Sequence, residues 1–304
     1  MKDDIETSII ISTHNRKEEL LKTIANIYAT AEGSYEIIVV SAASNDGTDE
    51  ELPLKFPSVR LIKAPDVGWG EANNIGAKVA KGKFLFFSGP DMEFESGWLK
   101  CLIQNAKKVK NLGEIGTMLI RPYQGKGIYY TGGSFLRAKY IIHKGIDLPY
   151  ETCFTYREKN YFVEVDAVHY PLIPKDVFYL VGGFDPYYFY SADEMDLGAR
   201  IKRAGFKNIV CFEKYMKTAM TPSSPKTLYY WNRNWIRMII KLNSIILIPF
   251  LLIFPLLRIF GTTIKMLYLH NIKDVKLLFS SILWNIKHFP ETYHSKKEKF
   301  VLEK

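Results

Sequence analysis

Residues 84–87, Phe-Leu-Phe-Phe, form a short unbroken apolar run that stops at Ser88-Gly89-Pro90 and then presents a single acid, Asp91. Consecutive apolar residues without alternation suit a strand buried on both faces, as found where helices cover both sides of a largely parallel sheet. Ser, Gly and Pro end strands and turn the chain. Asp91 therefore falls just beyond the carboxyl end of a buried strand, where open α/β sheets bind ligands. With Glu93 two residues on, it forms a candidate site for a hard divalent cation that keeps waters and holds phosphates. The alternative is a turn aspartate capping the segment that follows, and this stretch alone does not separate the two.

The flanking sequence extends the same pattern. Ser8–Ser12 reads as a first buried strand ending at Thr13-His14-Asn15, and Asn15 with Glu18 has capping-box spacing for the helix that follows. Leu20, Leu21, Ile24, Ile27, Tyr28 and Ala31 recur at helical spacing. Glu36–Val40 and Val59–Lys63 read as two more strands, the first closed by a turn cluster from Ser41 to Thr48. A helix opens at Gly68-Trp69-Gly70 and ends near Gly82. Alternating strands and helices imply an α/β fold with a mostly parallel sheet, and phosphates are expected at strand ends and helix starts. Three widely spaced cysteines, Cys101, Cys153 and Cys211, have no metal-ligand spacing and suit reduced thiols in a cytosolic compartment. The start, Met1–Glu6, is too acidic and too poor in apolar residues for a signal peptide.

Four stretches, SIIISTHNR (8–16), SNDGT (44–48), GWGEANNIG (68–76) and SGPD (88–91), stand in the order and spacing of family 2 glycosyltransferases with the GT-A fold. The chain resembles the rhamnosyltransferase-like branch, and the likeness continues through VGGFD (181–185), YSADEMDL (190–197), Arg200–Gly205 and YYWNRN (229–234). The resemblance implies a metal-dependent enzyme that uses a nucleotide diphosphate sugar. It implies that Thr13, His14, Asn15 and Arg16 line the nucleotide pocket, that Asn73 and Asn74 help position the nucleotide-sugar, and that Asp91 holds Mg²⁺ or Mn²⁺ against the donor phosphates. Ser41 stands where the family usually has an acid that contacts the base.

Read one at a time, these residues also have plainer explanations. His14 alone suits the start of a helix, the two asparagines suit an exposed helix face, and Trp69 and Trp98 either stack on sugar or base or fill the core.

The acidic cluster Asp193-Glu194-Met195-Asp196 precedes a helix whose apolar face carries Leu197, Ile201 and Ala204. Acids at a helix start also favour the macrodipole, which accounts for one or two of them without any chemistry. In the family such a cluster supplies the general base that deprotonates the acceptor hydroxyl for an inverting displacement. Register puts that base at Glu194, with Asp193 as its rival and Asp196 as a residue that orients a loop or a basic neighbour. The bulky Tyr170 replaces a small glycine in the segment that shapes the sugar and acceptor site. His169 beside it either substitutes for a family histidine missing after the last core strand or is structural.

Beyond Thr221–Pro225 the composition changes, so the expected boundary separates a GT-A domain, 1–221, from a helical region, 222–304. Residues 1–212 carry 26 Lys+Arg against 27 Asp+Glu, whereas residues 213–304 carry 15 against 5, so the whole excess of a chain with net charge +9 lies in the last third. Leu228–Leu242 reads as a helix with Arg233, Arg237 and Lys241 about a turn apart. Ile245–Leu257 is uncharged, apolar and interrupted by Pro249 and Pro255, and is shorter than the roughly 20 residues a spanning helix needs. Flanking Arg258, Lys265, Lys273 and Lys276 interleave with apolar residues, which suits an anionic membrane surface rather than nucleic acid. A dimer-forming or core-packing helical hairpin is the alternative.

The expected protein is thus a peripheral or monotopic glycosyltransferase on the cytoplasmic face of the cell membrane, acting on a polyprenyl-linked glycan. A polyprenyl-phosphate sugar synthase and a non-catalytic membrane-bound partner of another transferase are the competing readings.

Overall fold

The computed structural model describes residues 4–120, 128–130, 133–135, 141–143, 162–218 and 225–295. The first part alternates strictly: β1 (Thr7–Thr13), α1 (Lys17–Thr30), β2 (Tyr35–Ala42), α2 (Thr48–Lys55), β3 (Arg60–Ala64), α3 (Trp69–Val79) and β4 (Phe84–Ser88). Then come β5 (Met92–Phe94), α4 (Trp98–Lys108), β6 (Leu112–Ile120) and the short strands β7 (Ile128–Tyr130), β8 (Gly133–Phe135) and β9 (Ile141–His143). β10 (Phe162–Val165), β11 (Leu172–Pro174), α5 (Lys175–Leu180), α6 (Asp193–Arg203) and β12 (Lys207–Thr218) complete the sheet region. Four helices follow: α7 (Pro225–Leu242), α8 (Ile248–Tyr268), α9 (Ile272–Lys287) and α10 (Phe289–His294).

The main sheet runs in the order β10-β12-β6-β11-β4-β1-β2-β3. β3, β2, β1 and β4 are mutually parallel, whereas β11 runs antiparallel to both β4 and β6. The chain moves outward from β1 to β2 and β3, then returns to lay β4 on the opposite side of β1. That reversal opens a crevice beyond the carboxyl ends of β1 and β4, the place where such sheets bind ligands. Thr13–Arg16 and Asp91 both fall there because each directly follows one of those two strands.

Successive residues of the central strands enter different cores, which explains their unbroken apolar character. Ile9, Ile11 and Phe86 pack with Leu20, Ile24, Ile27 and Trp98 under α1 and α4. Ile10, Leu85 and Phe87 pack with Ala77, Phe178, Phe184, Leu197 and Ile201 on the other face. Phe86 and Phe87 are both fully buried, and truncating either to alanine would cost about 3–5 kcal/mol. Trp98 is a core residue, stacked on Phe94 at 4.2 Å. Cys101 and Cys211 are buried free thiols, while Cys153 lies outside the described residues.

Two local expectations are corrected. Asn15 and Glu18 do not form a capping box: Asn15 has φ 52°, Arg16 occupies the cap position, and Asp46 instead accepts from the Lys17 amide at 2.8 Å. The apolar segment after residue 245 is also longer than its uncharged core suggests. It continues through Pro255, Arg258 and Lys265 as the 21-residue helix α8, long and apolar enough to cross a bilayer by length and composition. One stripe of it, Ile248, Leu251, Pro255, Ile259 and Thr263, is buried, and Ile248 and Ile259 pack with Ile236 and Ile240 of α7 and Leu278 of α9. The boundary expected at 221/222 lies outside the described residues.

Candidate active site

Two adjoining cavities, each of about 340 Å³, occupy the crevice and share Trp69, Pro90 and Tyr190. The first is walled by Ser12, Thr13 and His14 from the end of β1, by Ala42, and by Asp66 and Gly68 ahead of α3. The hydroxyls of Ser12, Thr13 and Ser41 are buried and have no hydrogen-bond partner among the described residues. Thr13 and Ser41 are register partners across β1 and β2, so these polar groups gather at the strand ends beside the cavity. His14 donates Nδ1–H to the Ala42 carbonyl at 2.6 Å, which leaves Nε2 to accept from Asn15 Nδ2 at 3.3 Å. Asn15 also ties the two strand ends together: its amide donates to Ser44 Oγ, and its Oδ1 accepts from the Asn45 amide. It acts as a clip between loops and does not line either cavity.

Asn73 and Asn74 point inward, contrary to an exposed helix face. They are 0% and 3% exposed. Asn73 Nδ2 donates to the Trp69 carbonyl, while Asn74 makes a reciprocal pair with the Phe184 backbone at 2.8 and 2.9 Å. Asn74 thus fastens α3 to the loop before α6, the Asn73 bond stays within α3, and neither residue lines a cavity. Gly68 brings the same loop still closer: a Cβ there would lie 2.2 Å from the Phe189 carbonyl oxygen, which accepts the Trp69 amide at 2.9 Å.

The second cavity gathers Arg16, Asp91, His169, Tyr170, Asp193 and Glu194, residues up to 178 positions apart in sequence. Glu194 accepts from His169 Nδ1 at 2.5 Å through Oε2 and from the Tyr170 amide at 3.3 Å through Oε1. Both oxygens are thus oriented by donors. Asp193 Oδ1 accepts from the Glu194 amide at 3.2 Å, while its buried Oδ2 has no partner among the described residues. Burial, then the neighbouring Glu194 charge, push the Asp193 carboxyl up to about 7. For His169, burial disfavours the charge, but Glu194, Asp193 and Asp91 together raise its pKa above the ordinary histidine value.

Asp91 lines the second cavity next to the shared Pro90, its side chain 10% exposed, with Arg16 Nη2 at 3.6 Å and Thr218 Oγ1 at 3.4 Å. Glu93 belongs elsewhere. β5 turns it outward, where it meets Lys217 at 2.9 Å, so the two acids do not form a joint cation site. The described residues contain no group of three His, Cys, Asp or Glu able to hold a metal. One accessible carboxylate oxygen still fits Mg²⁺ or Mn²⁺, because such an ion takes one or two protein carboxylates and fills its shell with phosphates and water.

The loop ahead of α6 holds an unusual backbone. Phe189, Ser191 and Ala192 have φ of 58°, 71° and 69°, a region costly for residues with side chains. α7 holds it in place. Arg233 Nη2 donates to the Tyr188 carbonyl at 2.7 Å, and Asn234 Nδ2 reaches the carbonyls of Tyr188, Tyr190 and Ser191 at 2.7–2.8 Å. Deeper in, Lys241 bridges Asp185 and Asp196 at 2.8 Å each, Arg237 meets Asp185 at 2.9 Å, and Arg200 meets Asp196 at 2.8 Å. Burial works against the Asp196 charge, but Arg200 and Lys241 prevail and hold its carboxyl down at about 2.

Sequence reasoning missed Trp231 and Thr227 of α7, which close the carboxylate cavity, and left the role of His169 open. The YYWNRN stretch was the signal for the former. Nothing local distinguishes His169, because its partner Glu194 is 25 residues away.

The profile of glycosyl transferase family 2 matches residues 8–161, about half of the chain. An N-acetylglucosaminyl-diphospho-decaprenol L-rhamnosyltransferase of Mycobacterium tuberculosis is 22% identical over 244 residues, covering 71% of this chain and 78% of that protein. The O-antigen biosynthesis protein RfbC of Myxococcus xanthus is 26% identical over 221 residues, 68% of this chain but 16% of its own length. Among solved structures, GalNAc-T7 with UDP, GalNAc and Mn²⁺ superposes with a TM-score of 0.60 at 20% identity. That match covers 79% of this chain, which spans about half of the GalNAc-T7 chain (48%), and it bears on the fold alone. The sheet order, the crevice at its reversal and these matches agree with the GT-A architecture and the rhamnosyltransferase-like resemblance: the chain belongs to glycosyl transferase family 2.

Proposed function

We propose that this protein is an inverting glycosyltransferase that moves a sugar from a nucleotide diphosphate donor to a polyprenyl-linked glycan at the cytoplasmic face of the cell membrane. The observation that carries the reading is the meeting, in one cavity, of the oriented Glu194 carboxylate with Asp91 and Arg16. The neighbouring cavity suits the nucleoside: Ser12 and Thr13 of its wall carry unpaired hydroxyls, Ser41 stands beside Thr13 across the strands, and His14 forms part of the wall. Arg16 beside Asp91 offsets charge developing on the departing diphosphate. When bound at Asp91, Mg²⁺ or Mn²⁺ supplies further neutralisation of that charge.

Glu194 is the general base. His169 and the Tyr170 amide aim its carboxylate, which takes the proton from the acceptor hydroxyl as the oxygen attacks the anomeric carbon and the nucleoside diphosphate leaves with inversion. Asp193 lines the same cavity, but its Oδ1 is engaged by the Glu194 amide and its Oδ2 is buried, so Asp193 acts on the base as a neighbour.

A lipid-linked acceptor is supported by two features. The Mycobacterium tuberculosis relative is named for a diphospho-decaprenol substrate. Here Phe250, Ile253, Leu256, Leu257, Phe260, Ile264 and Leu267 line the exposed side of α8. Because the other side of α8 is packed on α7 and α9, we read α8 as lying in the membrane surface rather than crossing it. On this reading residues 1–221 carry the chemistry and 222–304 dock the lipid.

Nucleoside diphosphate release from UDP-, dTDP- and GDP-sugars tests the proposal, using membranes that carry the wild type, Asp91→Ala or Glu194→Gln, with and without Mn²⁺. Release that requires acceptor lipid, metal and both carboxylates is expected. If no donor is consumed with a full lipid extract present, the enzyme reading falls and a non-catalytic partner takes its place.

A further inference from the structure

Arg258 sits midway along α8, between the exposed apolar residues and the carboxylate cavity. Its guanidinium carbon lies 4.9 Å from the ring centre of Trp235 and 5.6 Å from that of Trp231, and Trp231 is itself a wall of that cavity. Nη2 donates to Asn232 Oδ1 at 3.1 Å. Asn232 is 3% exposed, and its Nδ2 is engaged with the Leu228 carbonyl at 2.7 Å, so its oxygen is fixed as the acceptor. No carboxylate among the described residues lies within ion-pair distance of Arg258, and Ile248–Tyr268 contains no Asp or Glu. A planar cation set in the corner between two indoles that meet edge to face at 76°, oriented through one of its nitrogens and left without a counter-charge among the described residues, suits a phosphate oxygen. Leu256, Leu257 and Phe260 around it are exposed and suit a hydrocarbon chain.

We propose that Arg258, in the Trp231–Trp235 corner, binds the diphosphate of the prenyl-linked acceptor, with the prenyl chain along α8 and the glycan directed past Trp231 toward Glu194. The inference rests on the lipid-linked acceptor proposed above and adds the residue that holds the acceptor's anionic group. Arg258 is a binding residue on this account, and it leaves the donor site untouched.

The test uses the full chain in detergent micelles with farnesyl diphosphate as probe, followed by quenching of tryptophan fluorescence. Farnesyl diphosphate should bind the wild type about tenfold or more tightly than it binds Arg258→Gln, with Arg258→Lys in between. Farnesol should bind both proteins weakly and equally, and nucleoside diphosphate affinity should not change. Phosphatidylglycerol vesicles should recruit the wild type and Arg258→Gln alike, because Lys265, Lys273 and Lys276 remain. Equal farnesyl diphosphate affinity in the wild type and Arg258→Gln would overturn the proposal. So would a loss of vesicle binding as large as the loss of farnesyl diphosphate binding, which would make Arg258 a general membrane anchor. If the wild type transfers sugar and only the Arg258 dependence is missing, this site fails alone. If the wild type transfers to no prenyl diphosphate glycan, the function proposed above fails.

Discussion

Helix α6 carries two kinds of buried acid within one turn. Asp193 and Glu194 face a cavity with a single histidine to balance them, whereas Asp196, with Asp185 nearby, is embedded among Arg200, Arg237 and Lys241. The same residue type on the same helix is pushed up to about 7 at position 193 and held down at about 2 at position 196. Burial alone opposes the charged form at both positions, so cationic partners decide the outcome. The compensated pair is structural, since it fastens α7 to the loop that sets the site. The uncompensated pair keeps a carboxylate able to accept a proton.

The largest expected effect comes from removing the base. Glu194→Gln should lower kcat about 10²–10⁴-fold while leaving donor affinity intact. Its melting temperature should change little, because relief of repulsion with Asp193 offsets the weakened contact with His169. On the compensated side the pattern reverses. Lys241→Met strips the shared cation from two buried carboxylates and should cost about 3–5 kcal/mol of stability, read by urea unfolding.

The pH dependence should differ in sign between the two. Asp193 has a folded pKa above its unfolded value, so it binds more protons in the native state, and its contribution to stability declines as pH rises from about 4 to about 7. Asp196 has a depressed folded pKa; its contribution is full above about 4 and is lost as pH falls toward about 2. Asp193→Asn should therefore flatten the stability slope between pH 4 and 7 and leave the acid-side loss in place. The smallest effect belongs to Glu93, an exposed acid paired with Lys217: Glu93→Gln should change stability by less than about 1 kcal/mol and leave turnover unaltered.

The sheet was legible because periodicity and turn residues are local signals. The Phe84–Phe87 run announced a strand covered on both faces, and its end located Asp91 in the crevice. Asp193 and Glu194 were legible as a cluster, but the difference between them and Asp196 was not, because Arg200 is only one of its two deciding cations and the other, Lys241, arrives from α7, 45 residues on. Asn74 illustrates the same limit: a polar residue on a helix gives no hint that a backbone segment 110 residues away has buried it. The N-terminal cap of α1 escaped for a related reason, since Asp46 supplies it from the neighbouring β2–α2 loop.

The most direct test of the central claim is the single-turnover rate of sugar transfer to the lipid-linked acceptor at saturating donor, wild type against Glu194→Gln, with nucleoside diphosphate affinity measured on both. A loss of about 10²–10⁴-fold in rate with affinity unchanged is expected if Glu194 is the base. A Glu194→Gln enzyme that transfers sugar at the wild-type rate would contradict that claim and move the base away from Glu194.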